Sequence, residues 1–186
     1  MGFKEILLIL LGFLGLKYSL LGYTTFENSF LAGIIYNYTA IIIIAVFSVI
    51  QGVKQHDKTP KFIDAFKFIA KKVLIYSVGA SLAITVWHHF IIQDITFQRL
   101  EERILEKKNA FNSEEEYVLF VEKNPTLKGI SLESWIEKEI EGVELIFSMG
   151  IQTSLTLMLY LVIGLFISAI ASFLWTKVWF LQHSPN

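Results

Sequence analysis

The chain reads as an all-α integral membrane protein, a four-helix transmembrane bundle with a helical extracytoplasmic segment between the third and fourth spans. Three observations predict this class. Apolar residues make up 54% of 186 residues and gather in runs of about 20, the length that crosses a bilayer core as a helix. Charged residues are 18% of the chain, fewer than the quarter or so of a soluble domain, and they collect between the runs. Finally, the connector at residues 51–72, QGVKQHDKTPKFIDAFKFIAKK, carries Lys54, Lys58, Lys61, Lys67, Lys71 and Lys72 against Asp57 and Asp64, a local charge of +4. A basic patch between two apolar runs belongs at a membrane surface.

Taken in order, the first run is residues 5–23, EILLILLGFLGLKYSLLGY. Only Lys4 precedes it and no small-x-small cleavage site follows, so it is read as a retained span rather than a signal peptide. A polar turn with Glu27 leads to the second span, residues 30–50. The second half of the lysine connector has Phe62, Ala65, Phe66 and Ile69 on one stripe, the pattern of an amphipathic interfacial helix. It feeds the third span, residues 73–92, which closes on Trp87-His88-His89 at the expected membrane–water boundary. Residues 93–150 hold 13 acidic and 7 basic side chains, a balance of -6. Three helices are expected there: from Asp94 to about Asn109; from a capping box at Asn112-Ser113 with Glu116 to Asn124-Pro125; and from Ser131 to Phe147. The fourth span is residues 151–175, with Lys177, Trp179 and His183 as an interfacial tail.

Lysine density threads the spans. Short cytoplasmic loops are enriched in Lys and Arg, which puts residues 51–72 in the cytoplasm. With four spans both termini are then cytoplasmic, and residues 93–150 are extracytoplasmic. Helices associate in lipid through small residues that let backbones approach. Such faces are expected at Gly12, Gly15, Ser19 and Gly22 in span one, Gly33, Asn37 and Ala40 in span two, and Gly79 with Ala83 and Ser77 with Ser81 in span three. Span four offers Gly164, Ser168 and Ser172.

Several chemistries are excluded or disfavoured by residue type. Cysteine is absent, which removes disulfides, thiolate nucleophiles and Cys-ligated metal sites. A net charge of -1 offers no footprint for nucleic acid. Adjacent His88 and His89 point about 100° apart on a helix and cannot grip one ion as an i, i+4 pair could. No metal site and no cofactor is expected, and no acid, base and nucleophile set converges on an enzyme. Lys17 is the one charge well inside a span, and intramembrane cations are paired, functional or snorkelled. Counting inward from the outer ends of the spans places Tyr36 and Asn37 at its depth, with His88 near the outer end of span three. Lys17, Tyr36, Asn37 and His88 are therefore candidate binding residues, for an anionic headgroup or a partner carboxylate. Lys54, Lys58, Lys61, Lys67, Lys71 and Lys72 form the candidate membrane-surface basic patch.

Gly52-Val53-Lys54, Asp57-Lys58 and Phe62-Ile63-Asp64-Ala65-Phe66-Lys67 resemble the G-[IV]-K…D-K and F-x-x-A-F-K elements of a family of small uncharacterised bacterial four-span membrane proteins, a domain-of-unknown-function family. The four-span layout with a long acidic third loop is similar too. Pro60-Lys61 and Phe68-Ile69 stand where that family often has glycines. The resemblance implies a bacterial inner-membrane protein and a link to cell-envelope work beside a polyprenyl-phosphate glycosyltransferase. Two functions are expected: a non-enzymatic accessory or scaffolding subunit that docks on another integral membrane protein or on itself, or a protein that handles membrane lipids or a small solute at the Lys17 layer.

Overall fold

The structure is a computed structural model. It describes the backbone of residues 2–55 and 60–183 and the side chains of those residues through Lys177. Every regular element among them is helical: α1 (Phe3–Leu20), α2 (Phe26–Gln55), α3 (Phe62–Val86), a π-helical turn (Trp87–Ile91), α4 (Gln93–Lys108), α5 (Glu114–Lys123), a 3-10 turn (Pro125–Leu127), α6 (Leu132–Phe147) and α7 (Met149–His183). Three stretches, Phe26–Gln55, Phe62–Ile91 and Met149–Lys177, are long and apolar enough to cross a membrane. With 18 residues that include Lys4, Glu5 and Lys17, α1 is not among them.

The chain divides into two compact units, residues 1–84 with 154–186, and residues 85–153. In the first unit an apolar core that includes Ile41, Ile44, Ile69 and Val73 is joined by small and hydroxyl-bearing residues, and large apolar side chains also cover the outside. The buried line of α7 is Tyr160, Gly164, Ser168, Ser172 and Trp175, while Val162, Phe166 and Phe173 are exposed. Small and hydroxyl-bearing residues face inward because backbone approach, not apolar burial, is what distinguishes a neighbouring helix from lipid. The serines satisfy themselves: the Ser168 hydroxyl donates to the Gly164 carbonyl at 2.7 Å and Ser172 to Ser168 at 2.6 Å. Glycine lets a bulky neighbour in at Gly52, where a Cβ would strike the Trp175 ring, and at Gly164, where it would meet Val73.

Two expectations shift. In α1 the buried positions are Ile6, Phe13 and Lys17, not the glycine line. Of that line Gly12 does admit a neighbour, since a Cβ there would strike the Tyr36 side chain, but Gly15 has open space where a Cβ would stand, and Gly22 lies past the helix end with φ +81°. That left-handed backbone suits glycine, so Gly22 is a turn residue. Moreover, α3 starts at Phe62 and runs unbroken, so the amphipathic segment and the third span are one helix. Ala65 and Ile69 of its expected stripe are buried, whereas Phe62 is exposed. By contrast Gly33, Asn37 and Ala40 of α2, and Ser77 and Ser81 of α3, are buried as the small-residue pattern predicts.

The second unit pairs α4 with α6. Lys107 and Glu139 join them at 2.6 Å. Phe111, Tyr117, Phe120 and Trp135 form one aromatic cluster, with Phe111 5.2–5.3 Å from each of the other three ring centroids. The expected cap is present: the Ser113 hydroxyl accepts from the Glu116 N–H, and the Glu116 carboxylate accepts from the Asn112 N–H at 2.9 Å. Ser131 caps α6 in the same way, accepting from the Ser134 N–H.

Candidate functional site

Lys17 is 3% exposed, and its Nζ donates to the Ser29 carbonyl at 2.9 Å and the Ser29 hydroxyl at 2.7 Å. Of the two fates left open for this lysine, these contacts are those of pairing. Lys17 stands about one turn before the end of α1 and reaches Ser29 in the first turn of α2. Phe13, one turn earlier, sits against Gly33. The two helices are thus antiparallel, with Lys17 level with Ser29.

Tyr36 and Asn37 are not gathered around Lys17. The Tyr36 hydroxyl donates to the Ile9 carbonyl at 2.7 Å, eight residues or about 12 Å along α1 from Lys17. The Asn37 amide donates to the Gly33 carbonyl at 2.9 Å and its Oδ1 accepts from the Tyr76 hydroxyl at 2.6 Å. The depth count misplaced them because α2 begins at Phe26, four residues before the apolar run at Phe30. Counted from the true start, Tyr36 and Asn37 lie ten and eleven residues into α2, against three for Ser29. His88 is buried and lies in the second unit, on the π-helical turn. Its carbonyl accepts from the Thr96 hydroxyl at 2.8 Å. Nearby in that unit, His89 Nε2 and Gln152 Oε1 are 2.7 Å apart, as are the Thr85 and Thr153 hydroxyls.

Two residues that sequence reasoning passed over complete the interior polar set. Tyr76 is fully buried, and its hydroxyl needs a partner there; a tyrosine in the middle of an apolar run was the available signal. Gln51 accepts from Lys72 Nζ at 2.8 Å, and that ammonium stands 4.1 Å above the Phe68 ring. Lys72 therefore leaves the surface patch and turns toward α2. Lys54, Lys61, Lys67 and Lys71 are exposed, whereas Asp57 and Lys58 lie outside the described residues.

An open groove of about 450 Å³ separates α1 from α3, lined by Phe3, Leu7 and Leu10 on one side and Leu74, Ile75 and Val78 on the other. Its lining is almost wholly carbon. Among the described residues no group of three or more His, Cys, Asp or Glu side chains is placed to hold a metal ion. No protein-family model, curated protein or solved structure matches the chain.

Proposed function

We propose that this protein is a non-enzymatic accessory or scaffolding subunit of a bacterial cell-envelope membrane complex. It is a four-span inner-membrane bundle with both termini in the cytoplasm and residues 93–150 outside. The resemblance to the four-span family favours a place beside a polyprenyl-phosphate glycosyltransferase. The observation that carries this reading is where the interior polar groups go. Lys17 bonds Ser29, Tyr36 bonds Ile9, Tyr76 bonds Asn37, and Asn37 bonds Gly33. These contacts brace helix to helix or cap backbone carbonyls, which is what a rigid docking frame requires.

The span count includes α1 for two reasons. Its 18 residues extend about 27 Å, close to the roughly 30 Å hydrocarbon core. Its Lys17 charge is taken up inside the bundle by Ser29, and an intramembrane ammonium so partnered is tolerated. Purification of the tagged chain in mild detergent tests the function. A second integral membrane polypeptide at fixed stoichiometry is expected. A monodisperse species of this chain alone, unchanged by chemical cross-linking in intact membranes, overturns it.

The groove between α1 and α3 favours a second reading, that the protein holds a membrane lipid. In this reading the lipid lies on the lysine-rich side instead of around Lys17.

A further inference from the structure

We propose that the groove between α1 and α3 is a binding site for one acyl chain of an anionic phospholipid, whose phosphate sits between Lys4 and Lys71. The site rests on the four-span reading in one respect, that α1 lies in lipid, and otherwise goes beyond the scaffolding role.

The groove closes at one end and is charged at the other. At the deep end Leu10 packs onto Gly79, where a Cβ would collide with the leucine side chain. This contact sets the register of the two helices, which run parallel from the lysine-rich side. Stepping back seven residues from each partner brings Phe3 level with Lys72, so the mouth opens at the start of α1 and the Lys71–Lys72 pair. Lys71 stands on the same α3 stripe as Leu74, Ile75 and Val78, at i+3, i+4 and i+7. Lys4 follows Phe3 and lies one turn before Leu7. Both lysines are exposed.

Lys4 and Lys71 against Glu5 leave one net positive charge at that mouth. Lys72 is turned away to Gln51. The Glu5 carboxylate accepts from the Gly2 N–H at 2.7 Å, which holds it at the start of α1. Asp64 is two turns further from the groove along α3. Two ammonium groups at the rim of a carbon-lined slot match a phosphate joined to a hydrocarbon tail, since basic side chains at a membrane surface attract anionic lipid.

Length selects a lipid tail over a partner helix. From Phe3 to Leu10 the slot runs about 10 Å along α1, a third of the roughly 30 Å hydrocarbon core. A straight partner span laid along α1 and α3 would be lifted off where Leu10 crosses Gly79. A flexible chain entering from one leaflet fits a slot that ends there. Phe3, Leu7, Ile75 and Val78 are all more than a third exposed, so the tail would cover apolar surface on both walls.

Native mass spectrometry of the full chain, released from micelles containing equal phosphatidylglycerol and phosphatidylcholine, reads the site directly. The wild-type chain should retain one phosphatidylglycerol about 30-fold over phosphatidylcholine, the ratio that about 1 kcal/mol for each of two basic side chains gives. The double substitution Lys4→Gln/Lys71→Gln should bring that ratio near one. Val78→Trp, or Val78→Phe if the larger ring lowers the melting temperature, should remove retained lipid of both kinds. The control pair Lys108→Gln/Lys123→Gln, exposed lysines of the second unit, should behave as wild type. Equal retention of the two lipids by the wild type, or an equal loss in the control pair, overturns the site. So does a bound polypeptide in place of lipid. Leu8→Cys separates this failure from that of the span. If the thiol resists a membrane-impermeant maleimide both before and after permeabilisation, α1 is in lipid and the groove alone has failed; if it reacts in either state, the span has failed.

Discussion

At the scale of single residues the first unit is tied together by polar side chains among carbon. Lys17 is held by two bonds to Ser29 and packs beside Phe13 and Gly33. Lys17→Ala should lower unfolding stability by about 2–4 kcal/mol, because it removes charge-assisted bonds and leaves a void. Lys17→Met, which keeps the stem, should lose less than half of that; thermal melting in detergent ranks the two. Tyr76→Phe should cost about 1–3 kcal/mol, since the buried Asn37 Oδ1 loses its donor. A double-mutant cycle with Asn37→Leu should then show strong non-additivity, and additive losses would mean that the 2.6 Å bond carries no coupling. At the other end of α2, Gly52→Ala drives a methyl into the Trp175 ring. Overpacking against a rigid ring predicts a loss of about 1–3 kcal/mol, recovered in part by Trp175→Leu in the same chain.

At the scale of elements, helix ends explain most of what was legible and most of what was not. The starts of α5 and α6 follow from Ser113 and Ser131, because a hydroxyl that accepts an orphan N–H is a local signal. The Ser113 hydroxyl, and next the Glu115 backbone N–H, hold the Glu115 carboxyl below its ordinary value. A depressed folded value means that the carboxylate supports the helix above the unfolded pKa, about 4.3, and that this support is lost as pH falls through the folded value. An NMR titration should find Glu115 midpoint below about 4.3, and Ser113→Ala should raise it while fraying the first turn of α5. The start of α2 was misread for the opposite reason. Phe26 to Ser29 is polar enough to look like a turn, yet it is helical because Lys17 and the Thr25 hydroxyl bond its first residues. That four-residue error, added to the end of α1 at Leu20 instead of Tyr23, is what separated Lys17 from Tyr36 and Asn37.

At the scale of the whole molecule the open question is threading, and the chain is suited to answer it because it has no cysteine. Single cysteines at Lys61 and Lys128 should label in opposite patterns with an impermeant maleimide on intact cells. Lys128→Cys should react from outside, and Lys61→Cys only after permeabilisation. The reverse pattern would invert the bundle and put the groove mouth in the outer leaflet. Labelling of both from one side would mean an even number of crossings between them.

Class, helix content and the positions of three membrane-length helices were already present in the residue pattern, because apolar run length and the segregation of charge are local properties. Which polar residues meet depended on helix register, and register is decided by contacts far apart in the chain. Phe13 against Gly33, Leu10 against Gly79 and Trp175 against Gly52 set how the helices slide past one another. A shift of four residues moves a side chain about 6 Å along the axis, which is more than the reach of a hydrogen bond.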